Sequence, residues 1–436
     1  MDKQQIALEN RILDFLKKKI DSSLAAEEKS NIFLNTFIDF CNESKKSGDA
    51  LEKECLLDQH LREIFLKELR SYGVIDTLLD DPLVEDIIIN GLGPIYVHHA
   101  KEGLKKTENR FSGPEELNLL IKKLMVYDGR KELKKINNLD LLGMRGRANI
   151  VYSPLGPEIT IAKIRSRPLS IIDLINNRAL PAEMAALFWL YVEGLGVRPA
   201  NIMIAGGPGS GKTTLLNALL SFISSDQHIV LIEDSFELMT SWIKDISRLE
   251  SADGLTLADL VKNSLRMRPE RIIIGETRGA EAQDMMTAMN IGKYCMSTIH
   301  ASTARETVLR LENAPMNVPV TFLNLIDVFI VMQKFTEPGI LRVVEEIAET
   351  SGLEQKMVLL SPLWKFDSAG CSFNNLMPTS AYRDKLSVAS GKSGRMILEE
   401  IAKRSRFLEG LGQKGITDIE KVFFHCQDYI KNPPVR

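Results

Sequence analysis

Apolar residues recur at helical spacing through the first 80 positions, in IALENRILDFLKKKI, IFLNTFIDFC and LDQHLREIFLKEL, which predicts amphipathic helices. Residues 1–80 therefore read as a helical leader. The rhythm changes at DDPLVEDIIINGLGPIYVHH, where Asp81-Pro82 punctuates, Ile87, Ile88 and Ile89 suit a buried strand, and GLGP turns into IYVHH. With the helical ELNLLIKKLMVYDG and the strand-like RANIVYS and EITIAKI, residues 81–165 read as a small α+β domain. Residues 166–198 read as a linker and the helix AEMAALFWLYVEGLG.

Between 199 and 350 short apolar runs alternate with helical segments. The runs NIMIAG, HIVLIED, RIIIGE and CMSTIH are separated by KTTLLNALLSFI, LADLVKNSLRM and AEAQDMMTAM. Such alternation predicts a mostly parallel sheet with helices on both faces, an α/β fold. Residues 351–436 add a strand-like MVLLSPLWKFD and two helical stretches, GRMILEEIAKRSRFLEGL and DIEKVFFHCQDYI. No internal repeat is visible.

Composition narrows the classes. A chain of 436 residues has room for two to four domains, at roughly 100–200 residues each. The 55 Lys and Arg against 58 Asp and Glu give a net charge of −3, which offers no global basic excess for nucleic acid. Five scattered cysteines without CxxC spacing fit a reducing compartment and neither a disulfide framework nor a zinc site. No 18-residue apolar run is present, so the expectation is a soluble, cytoplasmic protein.

One motif carries specific chemistry. The stretch Gly206, Gly207, Pro208, Gly209, Ser210, Gly211, Lys212, Thr213, Thr214 follows an apolar run and opens a helical segment, the setting of a phosphate loop. Glycines let backbone N–H groups face phosphates, Lys212 reaches the β- and γ-phosphates, and the Thr213 hydroxyl serves Mg²⁺. The expected ligand is a nucleoside triphosphate. Acidic residues close two later apolar runs, Glu233 with Asp234, and Glu276, and carboxylates at strand ends are what magnesium and an attacking water require. His300 closes the fourth run; it is read either as a structural histidine or as a sensor of the nucleotide.

The series GGPGSGKTTLLNAL, LIEDSFEL, LRMRPERIIIGETRGAEAQDMMTAMN and STIHASTARETVLRLE resembles the type II/type IV secretion ATPases, in particular the branch of tight-adherence pilus and archaeal secretion ATPases. The resemblance implies a RecA-like P-loop domain and an ATP-hydrolysing homo-hexamer. It further implies attachment to the cytoplasmic membrane through a polytopic platform protein of a pilus or secretion system; the near-neutral charge separately argues against direct nucleic acid. Lys212 and Thr213 become the phosphate-loop pair, Glu233 the carboxylate that polarises water, Asp234 and Glu237 the rest of an acidic box. Glu276 becomes the acid near Mg²⁺, and His300 closes the histidine box. Residues 81–165 resemble the family's N-terminal domain.

The chain departs from the family pattern at Ala162, where an arginine facing phosphate is common, and at Lys293, which stands for a histidine. Arg147, Lys163, Arg165, Arg167 and Arg278 are the open alternatives for the missing cation, since an arginine finger is worth about 10³–10⁵ in rate. Two other functions stay open beside the motor: a nucleotide-binding scaffold with little turnover, and a nucleic-acid translocase.

Overall fold

The computed structural model describes residues 3–21, 24, 26–47, 59–141, 146–164, 167–252, 254–336, 339–376 and 379–432. The chain divides into two compact units, Met1–Ser166 and Arg167–Arg436.

In the first unit, helices α1 (Lys3–Leu16), α2 (Ala26–Ser47) and α3 (Gln59–Arg70) precede β1 (Val84–Asn90), β2 (Ile95–His99) and β3 (Gly103–Lys106). Helix α4 (Pro114–Asp128) then leads to β4 (Ile136–Asp140), β5 (Gly146–Ser153) and β6 (Gly156–Lys163). The strands form one antiparallel sheet in the order β3-β2-β1-β6-β5-β4. Leader and α+β segment share a single core, in which Ile12, Leu16, Phe33 and Leu69 pack with Ile87, Leu124 and Ile161. Helix stripes alone would leave that apolar surface wet, and the sheet covers it.

In the second unit, every residue of α5 (Ala182–Glu193) except Glu183 is buried. A helix apolar all round belongs inside a core. The strands β7 (Ile202–Gly206), β8 (Ile229–Glu233), β9 (Ile246–Glu250), β10 (Arg271–Ile274), β11 (Tyr294–Ile299) and β12 (Val328–Phe335) follow. Interleaved with them are α6 (Lys212–Leu219), α7 (Leu257–Ser264), α8 (Glu281–Asn290) and α9 (Ala304–Glu312). These six strands are parallel in the order β12-β7-β11-β10-β8-β9, the RecA-like arrangement. Ile202 and Ile204 of β7 face one core while Met203 and Ala205 face the other, so period-2 alternation buries both faces.

The sheet does not stop at β12. Strands β13 (Leu341–Glu354), β14 (Met357–Asp367) and β15 (Ser372–Asn375) extend it antiparallel to nine strands. Helices α10 (Ala381–Ser390), α11 (Gly394–Gln413) and α12 (Ile419–Lys431) return to the core that also holds α5 and α6, through Leu386, Leu408, Phe423 and Tyr429. Among the described residues, no helix is long and apolar enough to cross a membrane.

Candidate functional site

Adjacent parallel strands deliver their carboxyl ends to one edge of the sheet, where ligands of open α/β folds bind. Along that edge the neighbours are Gly206 at the end of β7, His300 after β11, Glu276 after β10 and Glu233 at the end of β8.

The loop after β7 has a left-handed backbone that favours glycine at two points, with φ of +66° at Gly209 and +99° at Gly211. A Cβ at Gly206 would lie 2.4 Å from Ser210 Oγ and 2.6 Å from the Met332 carbonyl, whereas one at Gly207 would meet nothing within 4 Å. The loop is therefore tight underneath and open above. Ser210 Oγ is buried without a hydrogen-bond partner, a polar atom of the kind that a phosphate-binding loop brings to its ligand. Helix α6 starts at Lys212, directing its N-terminal amides toward the loop. The residues present thus fit a nucleotide's phosphates.

Lys212 is buried and donates to the Gly207 carbonyl at 3.0 Å and to His300 Nδ1 at 3.2 Å. That donation assigns the imidazole proton to Nε2, which lies 2.8 Å from Glu276 Oε1. Arg278 continues the chain, donating to Glu276 Oε2 at 2.6 Å and lying 3.5 Å from Asp234. Desolvation pushes the Lys212 ammonium below its usual value. Burial acts on Glu276 in the opposite sense, raising its carboxyl, yet Arg278, His300 and Lys212 outweigh it and the net value lies below the usual 4.5. Hydroxyls brace the end of β10 against β11: Thr277 shares a 2.7 Å bond with Ser297, and Thr298 donates to the Gly275 carbonyl at 2.7 Å.

Glu233 is held differently. Its carboxylate is 2 % exposed and accepts three donors: the Glu237 and Leu238 amides at 2.8 and 2.9 Å, and Arg248 at 2.9 Å. Arg248 lies 4.3 Å over the Phe236 ring and also holds the Leu238 carbonyl. Glu237 lies on the loop after β8, whose amides Glu233 caps. A Cβ at Gly275 would come 3.1 Å from Glu233 Cγ, so the glycine makes room for this carboxylate.

The other cations expected at the site disperse. Arg167 pairs with Asp173 at 3.6 Å and donates to Thr417. Lys163 donates to the Leu78 and Asp81 carbonyls within the first unit. Arg147 pairs with Asp140 and stands directly opposite Ala162 in the β5–β6 register; Arg165 lies outside the described residues. Arg271 is fully buried, donates to the Val192 carbonyl and has its pKa lowered to about 10 by burial. Lys293 precedes β11, at the end of that strand remote from His300.

Sequence reading missed Arg248, since ISRLE alternates too weakly to announce an edge strand. It also missed the loop's neighbours on β12 and β13, because a single cation in an apolar run carries no motif. A cleft of about 410 Å³ opens beside His300 and Arg278, floored by Leu309 and Met316.

The family model described as "Type II/IV secretion system protein" matches residues 141–354. The type IV secretion system protein VirB11 of Bartonella henselae is 43% identical over 274 residues, covering 57% of this chain and 74% of the relative. An uncharacterized protein of Methanocaldococcus jannaschii is 37% identical over 246 residues, 53% of this chain, and the chain spans only 34% of that relative's length. The crystal structure of the pilus retraction motor PilT with bound ADP aligns over 81% of this chain and 96% of its own, at 17% identity and a TM-score of 0.46.

Proposed function

Because the chain belongs to the type II/IV secretion ATPase family, we propose that it is a Mg²⁺-dependent ATPase that works as a homo-hexamer and energises protein secretion or the assembly of a pilus-like filament. The observation that carries this reading is the line of contacts from Lys212 through His300 to Glu276 and Arg278, beside a glycine loop with room for phosphate.

In this reading Gly206 to Thr214 cradle the triphosphate, and Lys212 takes charge from its β- and γ-oxygens. Thr213 and Glu276 would hold Mg²⁺, which when bound supplies charge neutralisation at the phosphate oxygens. His300 reports the occupancy of the Lys212 side to the Glu276 side, because one imidazole contacts both. Glu233 polarises the water once Arg248 releases its Oε2. Arg147 is the favoured substitute for the family's phosphate-facing arginine: directly opposed residues of an antiparallel pair share a face, so it emerges beside the position that Ala162 leaves small. Arg278 is the second choice. The motor operates at the cytoplasmic face of the membrane, docked on a membrane-spanning platform protein of the secretion system.

A scaffold with little turnover has one observation in its favour, the saturation of Glu233 by three donors. ATP turnover against protein concentration, with oligomer mass recorded in the same samples, separates the two. Activity per subunit should climb as rings form and fall by about 10²–10³ in Glu276→Gln. Rings that bind nucleotide but release no phosphate, even with membrane extract added, would overturn the motor.

A further inference from the structure

We propose that Lys334 and Arg342 form a cationic clamp, within the same subunit, on the phosphates of the nucleotide held by the Gly206 to Thr214 loop; the inference rests on the reading of that loop as a nucleotide site. Strand β7 ends at Gly206, paired with Met332 of β12, but β12 runs on through Gln333, Lys334 and Phe335. At about 3.3 Å per residue these three positions carry β12 roughly 10 Å past the strand that feeds the loop. Their hydrogen-bonding partner is β13, in the register Lys334↔Arg342.

Lys334 lies two residues beyond Met332 and so on the same sheet face. Met332 Cε is 3.5 Å from where a Cβ of Gly211 would sit, and Lys334 Nζ is 3.9 Å from where a Cβ of Gly209 would sit. Arg342, directly opposite, points to that face as well: its Nε donates to the Gly209 carbonyl at 2.8 Å, and its Cδ lies 3.9 Å from the Cβ position of Gly211. Two cations thus flank the two left-handed glycines that turn the loop. Like charges directly across an antiparallel pair repel, and an anion shared between them turns that repulsion into attraction.

Glu276 and His300 approach along β10 and β11, on one side of β7, whereas Lys334 and Arg342 approach along β12 and β13, on the other. The clamp therefore acts on binding rather than on the water. Because both cations come from the hairpin that joins the parallel strands to the antiparallel extension, nucleotide phosphates would also tie that extension to the loop.

The test uses the full chain with Mg²⁺ and a fluorescent ADP analogue, titrated at several salt concentrations, on Lys334→Gln, Arg342→Gln, the double variant, and the charge-keeping Lys334→Arg and Arg342→Lys. Thermal melting confirms that each is folded. Each neutral change should weaken binding about tenfold, the value of a charge-assisted hydrogen bond. The double variant should show a shallower salt dependence than wild type, and the charge-keeping variants should recover most of the affinity. In turnover assays KM should rise more than kcat falls. Binding by the double variant within about twofold of wild type overturns the clamp; so does a loss that salt leaves unchanged, which would mean that the pair only props the loop. Wild type that binds ADP without hydrolysing ATP would sink the motor reading and leave the clamp standing, whereas wild type that binds no adenine nucleotide sinks both.

Discussion

The two units bury lysines for opposite ends. In the first unit Lys123 is buried against Glu9 and donates to the Glu68 and Ser71 carbonyls, joining α1, α3 and α4 at one point. In the second, Lys212 is equally buried, but its contacts lead through His300 to Glu276 and on to an exposed Arg278. One lysine ends in backbone carbonyls and a sealed carboxylate; the other begins a line of titratable groups that reaches solvent. A buried cation is thus a fastener when its acceptors are fixed main-chain atoms, and a candidate for chemistry when its partners can exchange.

Removal of the leader gives the largest test of this contrast. Because α1 to α3 share a core with the α+β segment, a chain lacking residues 1–80 should lose the first unit's cooperative unfolding transition while nucleotide binding by the second unit survives. Urea melts followed by circular dichroism and by nucleotide fluorescence read the two separately; an intact first transition would show the leader to be an appendage.

Next in size is Lys123→Met, which strands Glu9 at 0 % exposure. Breaking a buried pair costs about 3–5 kcal/mol, and the loss should be confined to the first unit's transition. Burial already pushes the Glu9 carboxyl up, so the deficit should shrink as the pH is lowered and Glu9 takes a proton.

Glu276→Gln should barely move the second unit's melting while lowering turnover by about 10²–10³, the scale of removing one electrostatic stabiliser from a site. A large drop in stability with little change in kcat would reassign Glu276 to the fasteners. The smallest effect is acid sensitivity. Glu276 is depressed below 4.5 in the folded unit, so its contribution to stability is complete above that pH and is lost as pH falls through the lowered value. The glutamine variant should lose less stability than wild type over that window.

Much of the second unit was legible because its inner parallel strands β7, β8, β10 and β11 are almost entirely buried, and such burial writes itself as uninterrupted apolar runs such as IMIA and IVLI. The phosphate loop and the strand-end acids followed from spacing alone. What stayed hidden depends on register: that Arg147 faces the same way as Ala162, that Lys334 lies across from Arg342, and that Arg248 locks Glu233. The stretch AEMAALFWLYVEGLG read as a helix beside a linker, and its all-round burial shows it to be the centre of a core that also takes in the closing helices.

That shared core sets a timetable for synthesis. Gln427 on α12 donates to the Ile223 carbonyl and accepts from the Ser225 amide, just beyond α6. The ribosome must therefore add more than 200 residues after the phosphate loop before the loop's own helix gains its last neighbours. At about 5–20 residues per second that is a wait of roughly ten to forty seconds, during which the first unit has all it needs to fold and the nascent second unit leaves bare the apolar surface that α10 to α12 later cover.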